Sequence, residues 1–279
     1  MRLSIIIVNY NVTRLLRNCL NSIQQYVSDV DYEVIVMDNL SPDSSWKVLI
    51  DEFPTVKFIE NTANEGFAKA NNKAAKLAIG EYILLLNPDT AFEEDSMKEI
   101  LDFADVQSNF GCLGVRLHDL EGRFLPESKR SVPDVFNSFE KLFTPFSSKN
   151  KSKKGYYRND IAENNIAEVD VITGAFMLMK KNLYIEIEGL DETYFMYGED
   201  IDLCYTLLRK GYKNWYFGKS SVLHIKGEST VKDKKYLENF YGAMQIFIQK
   251  YYKKQNPVQY QFLKLGLKVR HFIAKLQLK

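Results

Sequence analysis

Residues 3–11 have the sequence LSIIIVNYN, in which an apolar β-type run ends directly in a polar cluster. The same arrangement recurs in residues 33–39, EVIVMDN, and in residues 82–89, YILLLNPD. Near-continuous runs of Ile, Val and Leu are typical of parallel strands that are buried on both faces of a sheet. In open α/β sheets, ligands bind outside the carboxyl ends of such strands. The three stretches therefore predict a polar site at one sheet edge, which we interpret as a nucleotide site.

Strand and helix patterns alternate around these stretches up to residue 105. The strand patterns cover residues 3–8, 33–37, 56–60 and 81–86, and the helix patterns cover residues 13–27, 44–52, 67–78 and 95–105. Gly80 separates a helix from the strand that follows it. This β-α-β-α order predicts an α/β fold with a doubly wound, mostly parallel, Rossmann-like sheet and right-handed crossovers.

The alternation is less regular after residue 110. Strand patterns occur at residues 111–117, 169–172, 175–180, 213–217 and 221–225, with a helix near 200–210. Residues 119–122 predict a hairpin turn, residues 131–165 have no regular pattern, and residues 147–154 predict a surface loop. From residue 233 the sequence predicts two helices broken at Pro257. We therefore divide the chain into a domain at 1–232 and a helical tail at 233–279.

The composition of the 279 residues, 46% hydrophobic and 26% charged, is ordinary for a globular protein. The net charge of +1 gives no reason to expect nucleic acid as a partner. Residues 239–279 contain eight Lys and Arg and no Asp or Glu, so residues 1–238 carry a net charge of −7. The tail is therefore basic and the remainder acidic.

The three cysteines, Cys19, Cys112 and Cys204, are widely separated and form no CxxC pattern. Such dispersed cysteines fit a reducing compartment and argue against a disulfide framework or a zinc site. The sequence opens directly with the first strand pattern and has no uncharged apolar stretch of about 18 residues. We therefore expect neither a signal peptide nor a membrane span, and a cytoplasmic location.

Asp38, at the end of its strand, could accept a hydrogen bond from a ribose hydroxyl or a nucleobase N–H. Alternatively, Asp38 forms a turn or caps a helix, because residues 39–44 (NLSPDS) are of types that are common in turns. Asn9, Asn11 and the asparagine-rich residues 64–71 favour the binding interpretation, because they follow neighbouring strands at the same predicted edge.

Two further positions suggest a metal. Asp89, in the NPDT sequence of residues 87–90, could hold Mg²⁺ or Mn²⁺ while a diphosphate supplies further oxygens. Alternatively, the same residues form a turn before the helix near 95. His224 lies at the end of the last strand before the tail, where it is either a metal ligand or a structural histidine.

Residues 189–211, GLDETYFMYGEDIDLCYTLLRKG, place Glu199, Asp200 and Asp202 in the first turn of a helix. Acidic residues there complement the helix dipole. Three carboxylates in four residues also repel one another and exceed what capping needs. They follow the aromatic residues 194–197, which suit the wall of a desolvated cleft, where a carboxyl pKa can rise toward that of a general base.

In this order, the blocks SIIIVNYN, VIVMDNLSPDSS, NEGFAKANN, YILLLNPDT and FMYGEDIDLCYTLLRKG resemble the inverting glycosyltransferases of family 2, which have the GT-A fold. The resemblance covers residues 3 to about 230. ITGAFMLMKK, at residues 172–181, followed by the acidic helix, is most similar to the bacterial rhamnosyltransferase-like and galactofuranosyltransferase-like branch, which builds surface polysaccharides.

The resemblance implies a role for each candidate residue. The donor nucleotide would be bound by Asn9, Tyr10, Asn11, Asp38, Asn64, Gly66, Asn71 and Asn87. Asp89 and His224 would hold a divalent metal, Mg²⁺ or Mn²⁺, and Asp200 would be the catalytic base. The acceptor side would include Glu199, Asp202, Gly174 and Tyr197. Asn87 stands where the family's DxD motif has its first Asp, so one metal carboxylate is missing.

The implied reaction is sugar transfer from a UDP-sugar or a dTDP-rhamnose-like donor to a glycan or polyprenyl-linked acceptor, with inversion. One alternative is a sugar-nucleotide nucleotidyltransferase, which would carry a Gly/Arg-rich loop after strand 1, where this chain has NYNVT. The other is a sugar-nucleotide-binding scaffold without catalysis, which would have no need of Asp89, Asp200 and His224.

The end of the tail has apolar residues at helical spacing with Lys and Arg between them, within residues 262–276. Such a basic amphipathic helix fits an anionic membrane surface. The alternative is packing against the catalytic domain or another subunit. Because acceptors in the branch it resembles are commonly lipid-linked, we favour a peripheral position on the inner face of the cell membrane.

Overall fold

The computed structural model describes residues 1–132, 155–225 and 233–277. The strands are β1 Leu3–Asn9, β2 Tyr32–Asp38, β3 Lys57–Glu60, β4 Tyr82–Leu86, β5 Thr90–Phe92, β6 Phe110–His118, β7 Ile166–Val169, β8 Phe176–Lys180 and β9 Lys213–His224. The helices are α1 Thr13–Tyr26, α2 Val48–Glu52, α3 Phe67–Ala75, α4 Met97–Val106, α5 Lys181–Glu186, α6 Glu199–Arg209, α7 Lys234–Tyr252 and α8 Pro257–Gln277.

These strands form one sheet in the order β3-β2-β1-β4-β8-β6-β9-β5, with β7 paired to β9. The pairs among β1, β2, β3 and β4 are parallel, which confirms the parallel arrangement predicted up to residue 86. The second part is mixed: β8 is antiparallel to β4 and β6, β9 is parallel to β6, and β5 is antiparallel to β9.

Helices cover both faces of the sheet. In β1, Ile5 and Ile7 contact the apolar cluster under α1 and α4, whereas Ile6 and Val8 contact the cluster under α3, α5 and α6. Because alternate residues of a strand point to opposite faces, burial of both faces requires the uninterrupted apolar run seen in the sequence. The three cysteines are buried and unpaired.

Several elements differ from the sequence-based expectations. Neither β5, with three residues, nor α5, with six, was predicted. The strands expected at 213–217 and 221–225 are one strand, β9, whose pairing with β6 shifts register after Phe217. Gly218 lies at this irregularity, where a Cβ atom would approach Glu163 O to 2.3 Å. The strand expected at 169–172 is displaced to β7, the turn at 119–122 is confirmed, and the loop expected at 147–154 lies outside the described residues.

The two tail helices form a hairpin, and Pro257 is the first residue of α8, as predicted from the break at this proline. In the packing of α7 on α6, Tyr205 makes ring contacts with Phe247 and Tyr251. In contrast, α8 packs on α7 through a small apolar cluster that includes Ile248 and Leu263. Within the described ranges, no helix is long and apolar enough to cross a bilayer.

Candidate active site

A cavity of about 660 Å³ lies at the carboxyl ends of the central parallel strands. The end of β1 contributes Val8 and Tyr10, the residue after β2 contributes Asn39, and the turn after β4 contributes residues 87–89. The opposite wall consists of the start of α6, residues 173–175 and the inner face of the α7–α8 hairpin. The cavity is therefore at the edge of the sheet that the three polar clusters predict.

Asn9 and Asp38 form a fully buried network behind the cavity wall. They are register partners in β1 and β2, and Asn9 Nδ2 donates a hydrogen bond to Asp38 Oδ1 over 2.7 Å. Ser41 donates from Oγ to Asp38 Oδ1 over 2.6 Å and from its backbone N–H to Oδ2 over 2.8 Å. These are the contacts of the turn-former alternative, and a contact of Asp38 with a nucleoside stays a prediction.

Asn39, the next residue, faces the cavity and organises the loop after β3. Its Nδ2 group donates to Asn64 Oδ1 over 2.9 Å and to Gly66 O over 3.2 Å. Its Oδ1 accepts from Asn61 Nδ2 over 3.0 Å and from the Glu65 N–H over 3.2 Å. The sequence-based site did not include Asn39, although it adjoins Asp38.

Gly66 lies where the loop after β3 meets the segment before α6. Its φ of +84° is in the left-handed region, and a Cβ atom there would lie 2.3 Å from Phe195 O. The same carbonyl accepts a hydrogen bond from the Phe67 N–H over 2.8 Å. Both the backbone conformation and the close approach therefore require glycine at this position.

The other predicted nucleotide-site residues have different surroundings. Tyr10 and Asn87 line the cavity. Asn11 is exposed, has a φ of +57°, and donates its N–H to Ser41 Oγ over 2.8 Å. Asn71 is buried behind the wall, where its Nδ2 donates to Phe67 O of the same helix over 2.9 Å.

Asp89 and His224 are brought together by the pairing of β5 with β9. Thr90 is the register partner of His224, and His224 Nε2 lies 3.3 Å from Asp89 Oδ1. Both side chains are about nine-tenths buried or more. Asp89 lines the cavity, and His224 lies behind it.

These two residues fit a divalent ion. Two ligands of an octahedral ion at about 2.1 Å lie about 3 Å apart, close to the observed separation. A carboxylate with an imidazole suits a first-row metal such as Mn²⁺. The His224 Nδ1 atom is buried without a hydrogen bond to any described residue. Within the described ranges, no group of three or more His, Cys, Asp and Glu residues is arranged to hold a metal ion, so a bound ion would take its other ligands from substrate or water.

Asp200, the predicted base, is held by an arginine. Arg130 Nη2 donates to Asp200 Oδ2 over 2.6 Å and to Ile172 O over 2.6 Å, and the Gly174 N–H donates to the same carboxylate oxygen over 3.3 Å. Burial lowers the pKa of Arg130, but the electrostatic interactions and hydrogen bonds with Asp200 and Tyr156 together outweigh that effect, and the pKa is raised. The guanidinium therefore stays charged and fixes the carboxylate. Arg130 has no sequence motif around it and was not predicted.

The two neighbouring acids have different surroundings. Glu199 lines the cavity, and its buried Oε2 accepts no hydrogen bond from the described residues. Burial, followed by the charge of Asp200, raises the pKa of Glu199 well above its usual 4.5. Asp202 faces α7, where it accepts from Lys250 Nζ over 2.7 Å and from the Tyr194 hydroxyl over 3.2 Å. Its pKa is raised by burial.

The two remaining acceptor-side candidates both line the cavity. A Cβ atom on Gly174 would lie 3.6 Å from Asp200 Cβ, so this position adjoins the predicted base. Tyr197 has a φ of +71°, and its ring lies edge-on to Tyr236 and Phe240 of α7 at centroid distances of 5.4 and 6.2 Å. Tyr197 therefore links the tail to the start of α6.

Solved glycosyltransferases share this fold. The chain is similar to GalNAc-T7 with UDP, GalNAc and Mn²⁺, with a TM-score of 0.62 and 15% identity over 88% of this chain and 48% of that one. It is also similar to Staphylococcus aureus TarS 1–349 in complex with UDP-GlcNAc, with a TM-score of 0.59 and 20% identity over 98% and 73% of the two chains. The fold is GT-A, which confirms the expectation from the resemblance.

The family model described as "Glycosyl transferase family 2" matches residues 4–187, and the chain belongs to this family of glycosyltransferases. Its relatives include the N-acetylglucosaminyl-diphospho-decaprenol L-rhamnosyltransferase of Mycobacterium tuberculosis, 26% identical over 72% of this chain and 68% of the relative. Rhamnosyltransferase WbbL of Escherichia coli is 27% identical over 79% of this chain and 82% of the relative. The poly(ribitol-phosphate) beta-glucosyltransferase of Bacillus spizizenii is 29% identical over 89% of this chain but 36% of its own length.

Proposed function

We propose that this protein is an inverting glycosyltransferase of bacterial surface polysaccharide synthesis. It moves a sugar from a dTDP-rhamnose-like or UDP-sugar donor to a glycan or lipid-linked glycan acceptor. One observation carries the proposal: Asp200, fixed by Arg130, faces the same cavity as Asp89, which is paired with His224. The two rhamnosyltransferase relatives support the choice of donor class, and the decaprenol-linked sugar in one of their names supports the acceptor class.

In the proposed reaction, the acceptor hydroxyl lies between Asp200 and the anomeric carbon of the donor. Asp200 accepts the hydroxyl proton while the new C–O bond forms and the bond to the nucleoside diphosphate breaks on the opposite face, which inverts the anomeric centre. Arg130 holds the Asp200 side chain in position for this proton transfer. A divalent ion bound at Asp89 and His224 would stabilise the charge of the departing diphosphate.

On the donor side, we propose that the nucleoside contacts the cavity-lining residues of the predicted set, Tyr10, Asn64, Gly66 and Asn87, together with Asn39. The hydrogen bonds from Asn39 hold this surface in place before the donor binds. Such preorganisation lowers the ordering cost of binding. Asn9, Asn11, Asp38 and Asn71 lie behind or beside this surface, and their contacts with the nucleoside stay predictions.

Calorimetric titration of UDP, dTDP and GDP, with and without Mn²⁺, tests the donor site. We expect one nucleotide to bind in a metal-dependent manner and His224→Ala to weaken that binding by about tenfold or more, because an ion ligand is lost. His118→Ala is a matched control, because this buried histidine contacts Glu93 instead. If no nucleotide binds the wild-type protein, the proposed function is wrong.

We also propose that the protein is a cytoplasmic, peripheral enzyme bound to an anionic membrane through the outer face of α8. Six apolar residues of this helix are 46–69% exposed: Val258, Phe262, Leu265, Val269, Phe272 and Leu276. At 100° per residue they form one stripe, with Lys264, Lys268 and Lys275 along one side. Apolar residues beside lysines are typical of helices on anionic lipid surfaces.

Vesicle flotation tests the membrane proposal. We expect the full chain to float with anionic vesicles and the double variant Phe262→Ser/Phe272→Ser to remain in the dense fraction, with no loss of thermal stability. Equal flotation of the two proteins would contradict the proposal. If the wild type is a dimer without vesicles and the double variant is a monomer, the stripe binds a second copy instead.

A further inference from the structure

The cavity has a polar part and an apolar part. The polar part contains Tyr10 after β1, Asn39 after β2, the turn after β4 and the start of α6. The apolar part is the inner face of the helical hairpin, where Met244, Phe247 and Ile248 of α7 lie opposite Leu263 and Leu267 of α8. A diphosphate group and a divalent ion are bound by polar groups, so neither requires an apolar wall of this kind.

The α7 side of this apolar wall has a fixed position. Lys250 Nζ donates to Asp191 Oδ2 over 2.6 Å and to Asp202 Oδ2 over 2.7 Å. The Tyr251 hydroxyl lies 3.1 Å from Thr206 Oγ1. The contacts to Asp202 and Thr206 join α7 to α6, the helix that contains Asp200 in its first turn. The apolar wall and the predicted base are therefore parts of one packed unit, so a ligand lying along the wall has a defined distance from the base.

The exposed stripe lies on the opposite face of α8 from this wall. Leu263 and Leu267 face inward, whereas Phe262 and Leu265 of the same helix belong to the outer stripe. Arg270 lies between the two faces, because it lines the cavity and is itself exposed. A guanidinium in this position suits a phosphate group of a ligand that passes from the membrane side into the cavity.

From this arrangement we propose that the apolar wall between α7 and α8 binds the first isoprene units of a polyprenyl-diphosphate-linked acceptor, with Arg270 facing its phosphates. The inference rests on the proposed function and adds a binding site for the lipid part of the acceptor. The chain would leave the bilayer beside α8 and carry its terminal sugar toward Asp200. The hairpin would thus select acceptors by the presence of an apolar chain, as well as by the sugar.

Two prenyl diphosphates with the same headgroup test the site without any measurement of transfer. In calorimetric titrations with the full chain, we expect farnesyl diphosphate to bind at least about tenfold more tightly than isopentenyl diphosphate, because only the longer chain reaches the apolar wall. The variants Met244→Gln and Leu267→Gln should remove most of this difference. Equal affinities of the two probes for the wild-type protein would overturn the proposal.

An exposed residue at the opposite edge of the sheet provides the matched control. Ile79 precedes β4 and is 66% exposed, so Ile79→Gln should keep the preference for farnesyl diphosphate. Loss of the preference in this control as well would also overturn the assignment to the hairpin. If the preference is present but no sugar is transferred, the proposed function fails and the apolar site stands. If sugar is transferred without any preference, the apolar site fails and the function stands.

Discussion

Buried polar groups on the two sides of the cavity have partners at different distances along the chain. On the donor side, Asn9 and Asp38 are opposite each other in neighbouring strands, and Ser41 completes their network three residues later. On the catalytic side, Asp200 depends on Arg130, 70 residues earlier, and Asp202 on Lys250, 48 residues later. The donor side is therefore organised by local pairing, and the acids of α6 are organised by tertiary packing.

The largest effect should come from Asp200→Asn. The amide has the size of the carboxylate but cannot accept the proton, so we expect transfer to fall by about 10²- to 10⁴-fold. The donor nucleotide should still bind, since its contacts lie on the other side of the cavity. Initial transfer rates and calorimetry measure the two quantities. Near-normal turnover would show that Asp200 is not the base. The control is Asp102→Asn, at an exposed position of α4.

Arg130→Met tests the long-range contact of the catalytic side directly. Removing one member of a buried ion pair costs about 3–5 kcal/mol of folding stability, because the carboxylate of Asp200 is left without its cation. We also expect a lower kcat, with partial rescue by Arg130→Lys. Denaturant unfolding and transfer rates are the measurements.

A double-mutant cycle separates the ion pair from other roles of Arg130. In the Asp200→Asn background no charge is left unpaired, so Arg130→Met should cost less stability than in the wild type. Equal costs in the two backgrounds would mean that Arg130 stabilises the fold through Ile172 O and Tyr156 rather than through Asp200.

Lys250→Met should have a smaller effect on the free energy of unfolding, by weakening the contact between α7 and α6. It leaves the buried carboxylate of Asp202 without its ammonium partner. Because Lys250 itself is more than a third exposed, we expect a loss of only about 1–2 kcal/mol in unfolding free energy. Lys253→Met, at an exposed position after α7, should change it by less than about 0.5 kcal/mol. Equal effects of the two variants would contradict a specific role for Lys250.

The smallest effect should be a change in pH dependence in Glu199→Gln. Because the pKa of Glu199 is raised in the folded state, the folded protein binds this proton more tightly than the unfolded chain. The resulting stability is complete below the usual value of 4.5 and is lost as the pH rises through the raised pKa. Glutamine does not titrate, so the stability of the variant relative to the wild type should rise as the pH increases from about 5 to about 9. Parallel stability profiles in thermal melts would contradict this.

The same contrast explains what the sequence could predict. The strands β1, β2 and β4 contain near-continuous apolar runs, so their patterns were visible, whereas β5 and α5 are too short for any periodicity to register. Asp89, Asp200 and His224 could be proposed because each lies at the end of a strand or the start of a helix. Their local position suggested them, and the resemblance to the family gave each its predicted role.

Arg130 could not be predicted in this way. Its contact with Asp200 exists only because residue 130 forms a β-bridge with Val171, next to Ile172 and Gly174. Asn39 was passed over for a different reason: a shift of one residue at the end of β2 decides whether a side chain faces the cavity or the network behind it. The apolar wall on α7 and α8 likewise depends on how the tail packs.

The pairing of Thr90 with His224 affects the order in which the two sides of the cavity assemble during synthesis. These register partners are roughly 130 residues apart in the chain, and contacts of such separation form late in folding. During synthesis, β1 to β4 can pair while the ribosome is still adding later residues, but Asp89 meets its histidine only after β9 has emerged. A nascent chain would therefore assemble the donor side of the cavity well before the pair that we assign to the metal.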